Sequence, residues 1–390
     1  MGKSVRYKLN RSTTKPRRGK GGRQGKLKKK RFSFSLGKPI KIIFSILLIS
    51  LLIYWLFVAY TTVRDIKVTD VVPEESEIVE FADQSRIRRT LVIYEKPHTT
   101  EERNLFLLAA IYNTETSQAL IYHLPDTLYI NDYFANKDIS VEYLTYAGES
   151  YMYNEKYAYV IRQTEEQMAI NFDSYVLFGS QISKNFVSDD DSWGKSKDDV
   201  LDIFSKLSFL NLMPRYYKVY LFEDYFHSNM SFLEMYTSFQ NIRGIILSGN
   251  YEYFNLKNDE FVVQKSLGSG REIKVLNRSV FDESLRQNID VLRTRDLRAE
   301  HVKVEVYNGS DIPGYARNVA RRIFNSGCRV IRFENASKTY ENTKIYVSDI
   351  EKFANGLSVV ESIVDNAQVV EGRPEFLTTG DIIVVLGLDQ

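Results

Sequence analysis

Two stretches of this 390-residue chain hold residue types and spacings with chemical potential. In VEVYNGSDIPGYARNVARRIF, residues 304 to 324, a strand runs into a glycine-containing loop and then a helix. That arrangement can aim backbone N–H groups at a phosphate. Gly309 and Gly314 lack the G-x-G-x-x-G or G-x-x-x-x-G-K spacing that brings several N–H groups onto one phosphate. Ser310 or Asp311 can instead cap the helix, and Pro313 suits its first turn. A plain joint is the expectation, with contact to a glycan or protein partner as the alternative. In FVSDDDSWGKSKDD, Asp189, Asp190 and Asp191 are adjacent. They lack the alternating spacing of a calcium loop, so a solvated loop is expected. His98, His123, His227 and His301 are scattered, without the close spacing of metal ligands. Neither a Gly-x-Ser-x-Gly elbow nor a Walker loop occurs. Leu267 to Lys274, LGSGREIK, reads as a hairpin turn. The single cysteine, Cys328, forbids an intrachain disulfide and reads as buried packing.

The elements that must carry any site begin with a charge asymmetry. Residues 1–41 hold 16 Lys and Arg and no acid, while the rest sets 36 basic residues against 50 acidic ones. From Ile42 to Val63 there are 22 residues without a charge. A helix of that length crosses a hydrocarbon core of roughly 30 Å. Tyr54, Trp55 and Tyr60 lie toward its far end, where amphipathic rings favour the interface. The run exceeds the roughly 7–15 apolar residues of a signal peptide, and no small-x-small cleavage site follows. An uncleaved single-pass transmembrane helix is expected. The basic arm then places the N-terminus in the cytoplasm and the body outside. Nucleic-acid binding by the disordered arm is not expected, because a basic arm joined to a span is mainly a topology signal that can also touch anionic lipid.

Residues 64–85 read as an acidic stalk. Strands are expected at 89–95 and 104–113, the second paired as a hairpin with a third run, ALIYHLPDTLYI. Helical spacing follows through VEYLTYAGESYMYN and YAYVIRQTEEQMAI, then a strand at INFDSYVLFG. Helices at KSKDDVLDIFSKLSFLNL, SFLEMYTSFQNIRGIILSG and RSVFDESLRQNIDVL alternate with short strands FVVQKSL and REIKVLN. An α/β domain with a mixed sheet is expected over 86–292, with a polar linker at 293–300. The tail, 301–390, reads β-α-β-β-α-β.

The tail also resembles a known module. VYNGSDIPGYARNVARRI, TKIYVSD and the closing DIIVVLGLD look like the C-terminal domain of LytR-type proteins, with its Asn-Gly turn, Gly-x-Ala helix start, Thr before the middle strand and terminal Leu-Gly-x-Asp. The preceding domain is similar, more weakly, to the LytR-CpsA-Psr domain. LFLLAAIYNTETSQALIYHLPDTLYI looks like that family's hairpin, and the run from YLTYAGES to DSYVLFG like its two helices and following strand. The resemblance implies transfer of glycopolymers from a polyprenyl pyrophosphate carrier to peptidoglycan. That chemistry needs arginines on the pyrophosphate, with carboxylates to hold Mg²⁺ and activate a hydroxyl.

The chain departs from the family at those points. The family's Pro-Arg-Asp-Thr becomes Pro125-Asp126-Thr127, without the arginine. Its Arg-Ser-Asp-Thr becomes Glu101-Glu102-Arg103-Asn104, and its later arginine runs have no counterpart between Ser180 and Ser208. Arg103 and Asp126 remain as candidates for a phosphate or a metal. The expectation is a membrane-anchored, extracytoplasmic envelope protein with a degenerate LytR-CpsA-Psr domain, acting as a scaffold or glycan-binding protein. The alternative is an active glycopolymer phosphotransferase using Mg²⁺.

Overall fold

A computed structural model describes residues 38–65, 86–95, 105–132, 137–151, 156–178 and 226–389 (apart from 269 and 365), together with 197, 198, 201 and 204. Residues 1–37 of the basic arm, 66–85 of the stalk, the acidic Asp189 run and Arg103 lie outside the described residues, as does nearly all of the helix expected near 195–212.

Helix α1, Lys38–Asp65, forms over the uncharged run. Its side chains are apolar all round, and Phe44, Leu52, Trp55 and Phe57 are more than half exposed. Among the described residues no helix is long and apolar enough to cross a membrane. The side chains of α1 are described only from Lys41 to Phe57 and at Tyr60. The expected span continues past them, to Val63.

The body is built on a six-stranded mixed sheet, ordered β7-β6-β1-β2-β3-β8. Its strands are β1 (Ile87–Glu95), β2 (Leu105–Asn113), β3 (Gln118–Leu124), β6 (Ser174–Phe178), β7 (Phe226–Ser228) and β8 (Tyr251–Asn255). The β2–β3 hairpin pairs antiparallel from Leu107↔Leu124 to Asn113↔Gln118, as the sequence predicts. β1 lies antiparallel to β2 and parallel to β6. Every residue of β2 is buried. Leu105, Leu107, Ala109 and Ile111 join one core, while Phe106, Leu108, Ala110 and Tyr112 join the other. This is why LFLLAAIY is continuously apolar rather than alternating: both faces of the strand are covered.

The first core is closed by α2 (Leu144–Tyr151), α3 (Lys156–Met168) and α5 (Arg278–Gln287), which contribute Leu144, Tyr159 and Phe281. The opposite core is closed by α4 (Phe232–Ser248) through Met235, Phe239 and Ile242. Ser231 and Glu234 form a reciprocal capping box at the start of α4, and Gly249 ends it at φ 79°. The run ALIYHLPDTLYI divides at Pro125. Its second half becomes β4 (Tyr129–Asp132), part of a separate four-stranded sheet with β5 (Lys137–Ser140), β9 (Val262–Ser266) and β10 (Glu272–Leu276). Proline supplies no ladder donor, so the strand breaks there. The expected β9–β10 hairpin is present, with Gly270 at φ 79° in its turn.

The segment expected as a linker is ordered. It contains α6 (Arg295–Glu300), capped by the Thr294 hydroxyl accepting from the Leu297 N–H at 3.2 Å. Its Asp296 pairs with Arg86 at 2.7 Å.

The tail contains one strand more than the expected β-α-β-β-α-β. Its elements are β11 (Lys303–Asn308), α7 (Tyr315–Asn325), β12 (Arg329–Asn335), β13 (Lys344–Val347), α8 (Ala354–Glu361), β14 (Gln368–Glu371) and β15 (Ile382–Leu386). They form a five-stranded sheet ordered β12-β11-β15-β13-β14. The added strand, β14, runs parallel to β13 at the sheet edge. Only four residues long and never fully buried, it lacks the apolar run that marks β15.

The motif residues of this tail are joints. Thr343, fully buried, donates its hydroxyl to Asp389 at 2.6 Å and accepts from the Gly387 N–H at 2.9 Å. A Cβ on Gly387 would stand 2.5 Å from the Asn342 carbonyl carbon. The terminal Leu-Gly-x-Asp thus clamps the chain end to the start of the middle strand. Thr343→Val keeps the shape and deletes both bonds. It should lower the urea midpoint by about 1–2 kcal/mol of stability at unchanged m-value.

Candidate functional site

The loop from Asn308 to Gly314 is closed on itself. The Asn308 side chain accepts from the Ser310 N–H and hydroxyl and donates to the Ile312 carbonyl at 2.8 Å. The Gly309 N–H goes to the Leu386 carbonyl, and a Cβ at Gly309 would stand 2.6 Å from the Tyr340 ring. These N–H groups are spent on the fold, so the joint reading stands and a phosphate cradle does not. The cap differs from the expectation. Neither Ser310 nor Asp311 caps α7; the N-cap is Gly314 at φ 78°, without a side-chain bond. The Ser310 hydroxyl is already used within the loop, accepting from the Ile312 N–H.

Asp126 is placed in the turn between β3 and β4. Its carboxylate accepts from the Thr127 N–H at 2.7 Å, and its backbone carbonyl from the Ser140 hydroxyl and the Glu142 N–H. Arg103 lies outside the described residues. His123 is buried against Phe106, shares a hydrogen bond with the Tyr253 hydroxyl, and is held neutral by burial, its pKa lowered to about 3. Burial likewise pushes the Cys328 thiol up to about 12, an inert core residue. Among the described residues no three His, Cys, Asp or Glu converge as a metal shell.

The concentration of polar chemistry lies where the tail meets the α/β domain. Helix α3 ends at Met168, followed by Ala169 in the left-handed region at φ 49°. Its last carbonyls face the basic side of α7. Arg321 donates to the carbonyls of Glu166 at 3.3 Å and Gln167 at 2.8 Å, and pairs with Asp282 of α5 at 2.5 Å. Asn325 donates to the Met168 carbonyl at 2.9 Å and to Asp282 at 3.1 Å. Arg322 pairs with Glu166 and donates to Asn171 at 2.9 Å. A helix C-terminus carries unpaired carbonyls and partial negative charge, so cationic donors are its natural complement. The far end of α7 is gripped in turn. Gly327, at φ 104°, leaves no room for a Cβ beside the Leu292 carbonyl, and its own carbonyl accepts from Arg293 at 2.6 Å. Buried Arg89 reaches the Ser326 carbonyl at 3.5 Å and pairs with Asp173 at 3.7 Å.

Beside this clamp a groove of about 660 Å³ opens between α5, α7 and β12. Arg278, Arg286, Arg317 and Arg321 line it, opposed by Asp282. Arg278 spends Nε and one Nη on the Gln167 side-chain oxygen, at 3.1 and 2.8 Å. Arg286 lies over the Phe324 ring at 5.2 Å and within 3.5 Å of Glu283. Sequence reasoning did not identify this cluster. The signal was present as Arg317 and Arg321, four apart on one helix, and Arg278 and Arg286, eight apart on another. Each pair marks one helical face, but nothing local says that the two faces meet.

Glu165 gives the junction a pH dependence. The residue is only partly buried, yet its carboxylate is enclosed, where it accepts from the Phe172 N–H at 2.8 Å. Burial pushes its pKa up to about 7, against partial relief from that hydrogen bond and from Arg322. A raised acid binds its proton more tightly when folded. The resulting stabilisation is complete below the unfolded value near 4.5 and is lost as pH rises through about 7. Melting temperature should therefore fall between about pH 5 and pH 8, and Glu165→Gln, which keeps the acceptor, should flatten that part of the profile.

Residues 301–389 match the family model described as LytR cell envelope-related transcriptional attenuator. No curated protein matches the chain in sequence. Among solved structures, the chain is similar to TagV of B. subtilis at 9% identity and a TM-score of 0.38, over 54% of this chain and 98% of that one. TagT bound to LI-WTA is similar at 13% identity and 0.37, over 58% and 99%. A Streptococcus agalactiae protein, gbs0355, is similar at 10% identity and 0.38, over 55% and 93%. At TM-scores below 0.5 none of these likenesses places a residue of this chain.

Proposed function

We propose that this chain is a membrane-anchored envelope protein whose body lies outside the cytoplasm and binds or braces cell-wall glycan without transferring it. The observation that carries the reading is the turn at Pro125-Asp126-Thr127. Where the family resemblance calls for an arginine and a catalytic carboxylate, the arginine is missing and the Asp126 carboxylate is bonded to its neighbour's backbone. The LytR-type match over 301–389 supports an envelope role. The uncharged run 42–63 behind 16 basic residues supports the anchor and its orientation. An anchored body with a helix-clamped tail suits a scaffold, because the tail is held in fixed relation to the domain it follows.

Three single-residue variants test both halves of the proposal. Native Cys328 is buried and gives little background. In intact cells a Glu351→Cys chain should react with a membrane-impermeant maleimide, and a Ser4→Cys chain should not. The purified chain, supplied with a polyprenyl-pyrophosphate glycan and Mg²⁺, should leave the pyrophosphate bond uncleaved. Turnover lost in Asp126→Asn would instead make the chain a transferase, and labelling at Ser4→Cys alone would reverse the topology.

A further inference from the structure

We infer that the open edge of β12 takes an extended acidic segment of a partner protein as a sixth strand of the tail sheet. β12 is the last strand on its side: it pairs with β11, and among the described residues no strand pairs beyond it. Its residues are exposed from Arg329 to Asn335, save half-buried Val330. The outward N–H and C=O groups of such an edge are a template for another strand. Both helices of the tail pack on one face of the sheet, in the core that holds Val304 and Val306, while Tyr307 lies on the other face. Arg332 reaches the Tyr307 hydroxyl at 3.4 Å and Glu334 at 3.8 Å, so its guanidinium is turned away from α7. Yet four consecutive residues, Val330 to Phe333, border the groove beside α7. Successive side chains of a strand alternate between faces, so a groove that meets all four runs along the strand's edge.

The far wall of the groove sets the chemistry of the added strand. Arg278, Arg286 and Arg317 are exposed along it, and its one acid, Asp282, is already held by Arg321 and Asn325. Arg286 has a single long ion pair, 3.5 Å to exposed Glu283, and Arg317 has none among the described residues. A strand laid along β12 turns every second side chain toward this wall, where carboxylates complement the guanidinium groups. A small anion could meet the arginines and leave the row of backbone groups unpaired; an acidic strand meets both. A second copy of the chain would set this basic groove against its own image, because paired edges of identical chains are isologous. The register shift between Val304 and Glu305 leaves Ile331 as an extra residue, so the regular run open to pairing is Arg332–Asn335. That is four residues, the length over which β14 already pairs with β13.

The test is amide hydrogen exchange on the full chain in detergent, read residue by residue in β12. The probe is a blocked peptide as long as β12 that alternates Glu with Val. Reading each segment separately keeps binding at the basic arm from confusing the result. With peptide at about ten times its Kd, the outward amides of Arg332–Asn335 should exchange roughly tenfold more slowly, and those of β14 at the opposite edge should not change. The same peptide N-methylated throughout keeps its charges and loses its donors, and should not protect. A peptide with Lys in place of Glu should not protect either. The double variant Arg286→Gln, Arg317→Gln removes only exposed side chains, and should weaken the Glu peptide by roughly tenfold, the loss of about one charge-assisted contact. Unchanged β12 amides at about 1 mM peptide would overturn the inference. So would equal protection by the N-methylated peptide or by inorganic tripolyphosphate, which would make the groove a plain basic surface. Slowing of β12 that rises with the concentration of the chain itself, without peptide, would assign the edge to a second copy and overturn the acidic partner.

Discussion

The end of helix α3 is the constraint on which the junction of the body depends. Three successive carbonyls, of Glu166, Gln167 and Met168, come to a left-handed stop at Ala169 and have no partners within their own helix. Arg321 and Asn325, from a helix about 150 positions later in the chain, supply them. Asp282 takes donors from both residues, which ties α5 into the same knot. Breaking one member of such a partly buried network strands the others, at a cost of several kcal/mol in comparable cases. The tail module is therefore a fixed part of the body, and its arginine-rich face is held opposite that of α5. The groove exists because the clamp does.

Much of the fold is legible in the sequence where burial repeats simply. The β2–β3 hairpin, the amphipathic α3 and α5 and the apolar β15 can all be read from local pattern, because each buries a face whose period matches its structure. The losses have physical causes. Proline at 125 splits one apolar run between two sheets. β14 is short, half exposed and stabilised by pairing at a sheet edge, so it leaves little compositional trace. The cap of α7 falls on Gly314 because the Asn308 and Ser310 side chains are engaged with each other. The order of 293–300 comes from partners at Arg86 and Glu115, some 180 to 210 positions away.

The candidate site divides in the same way. Asp126 is visible as a residue after proline, and its turn role follows from local chemistry. The groove is invisible, since its arginines lie on separate elements of two modules. The motif residues of the tail, Gly309, Thr343, Gly387 and Asp389, are easy to see and serve the fold: they allow close backbone approach or clamp strand ends. Recognisable residues in this tail mark how it folds, and the residues available for binding lie between the marks.

The clamp is tested most directly by native-state hydrogen exchange on the full chain, comparing peptides from α3 and α5 with peptides from α7 and β11. If the junction locks the tail to the α/β domain, the two sets open with similar free energies, and Arg321→Ala lowers protection in both. A tail whose amides exchange independently, with α3 and α5 unchanged in Arg321→Ala, would contradict it.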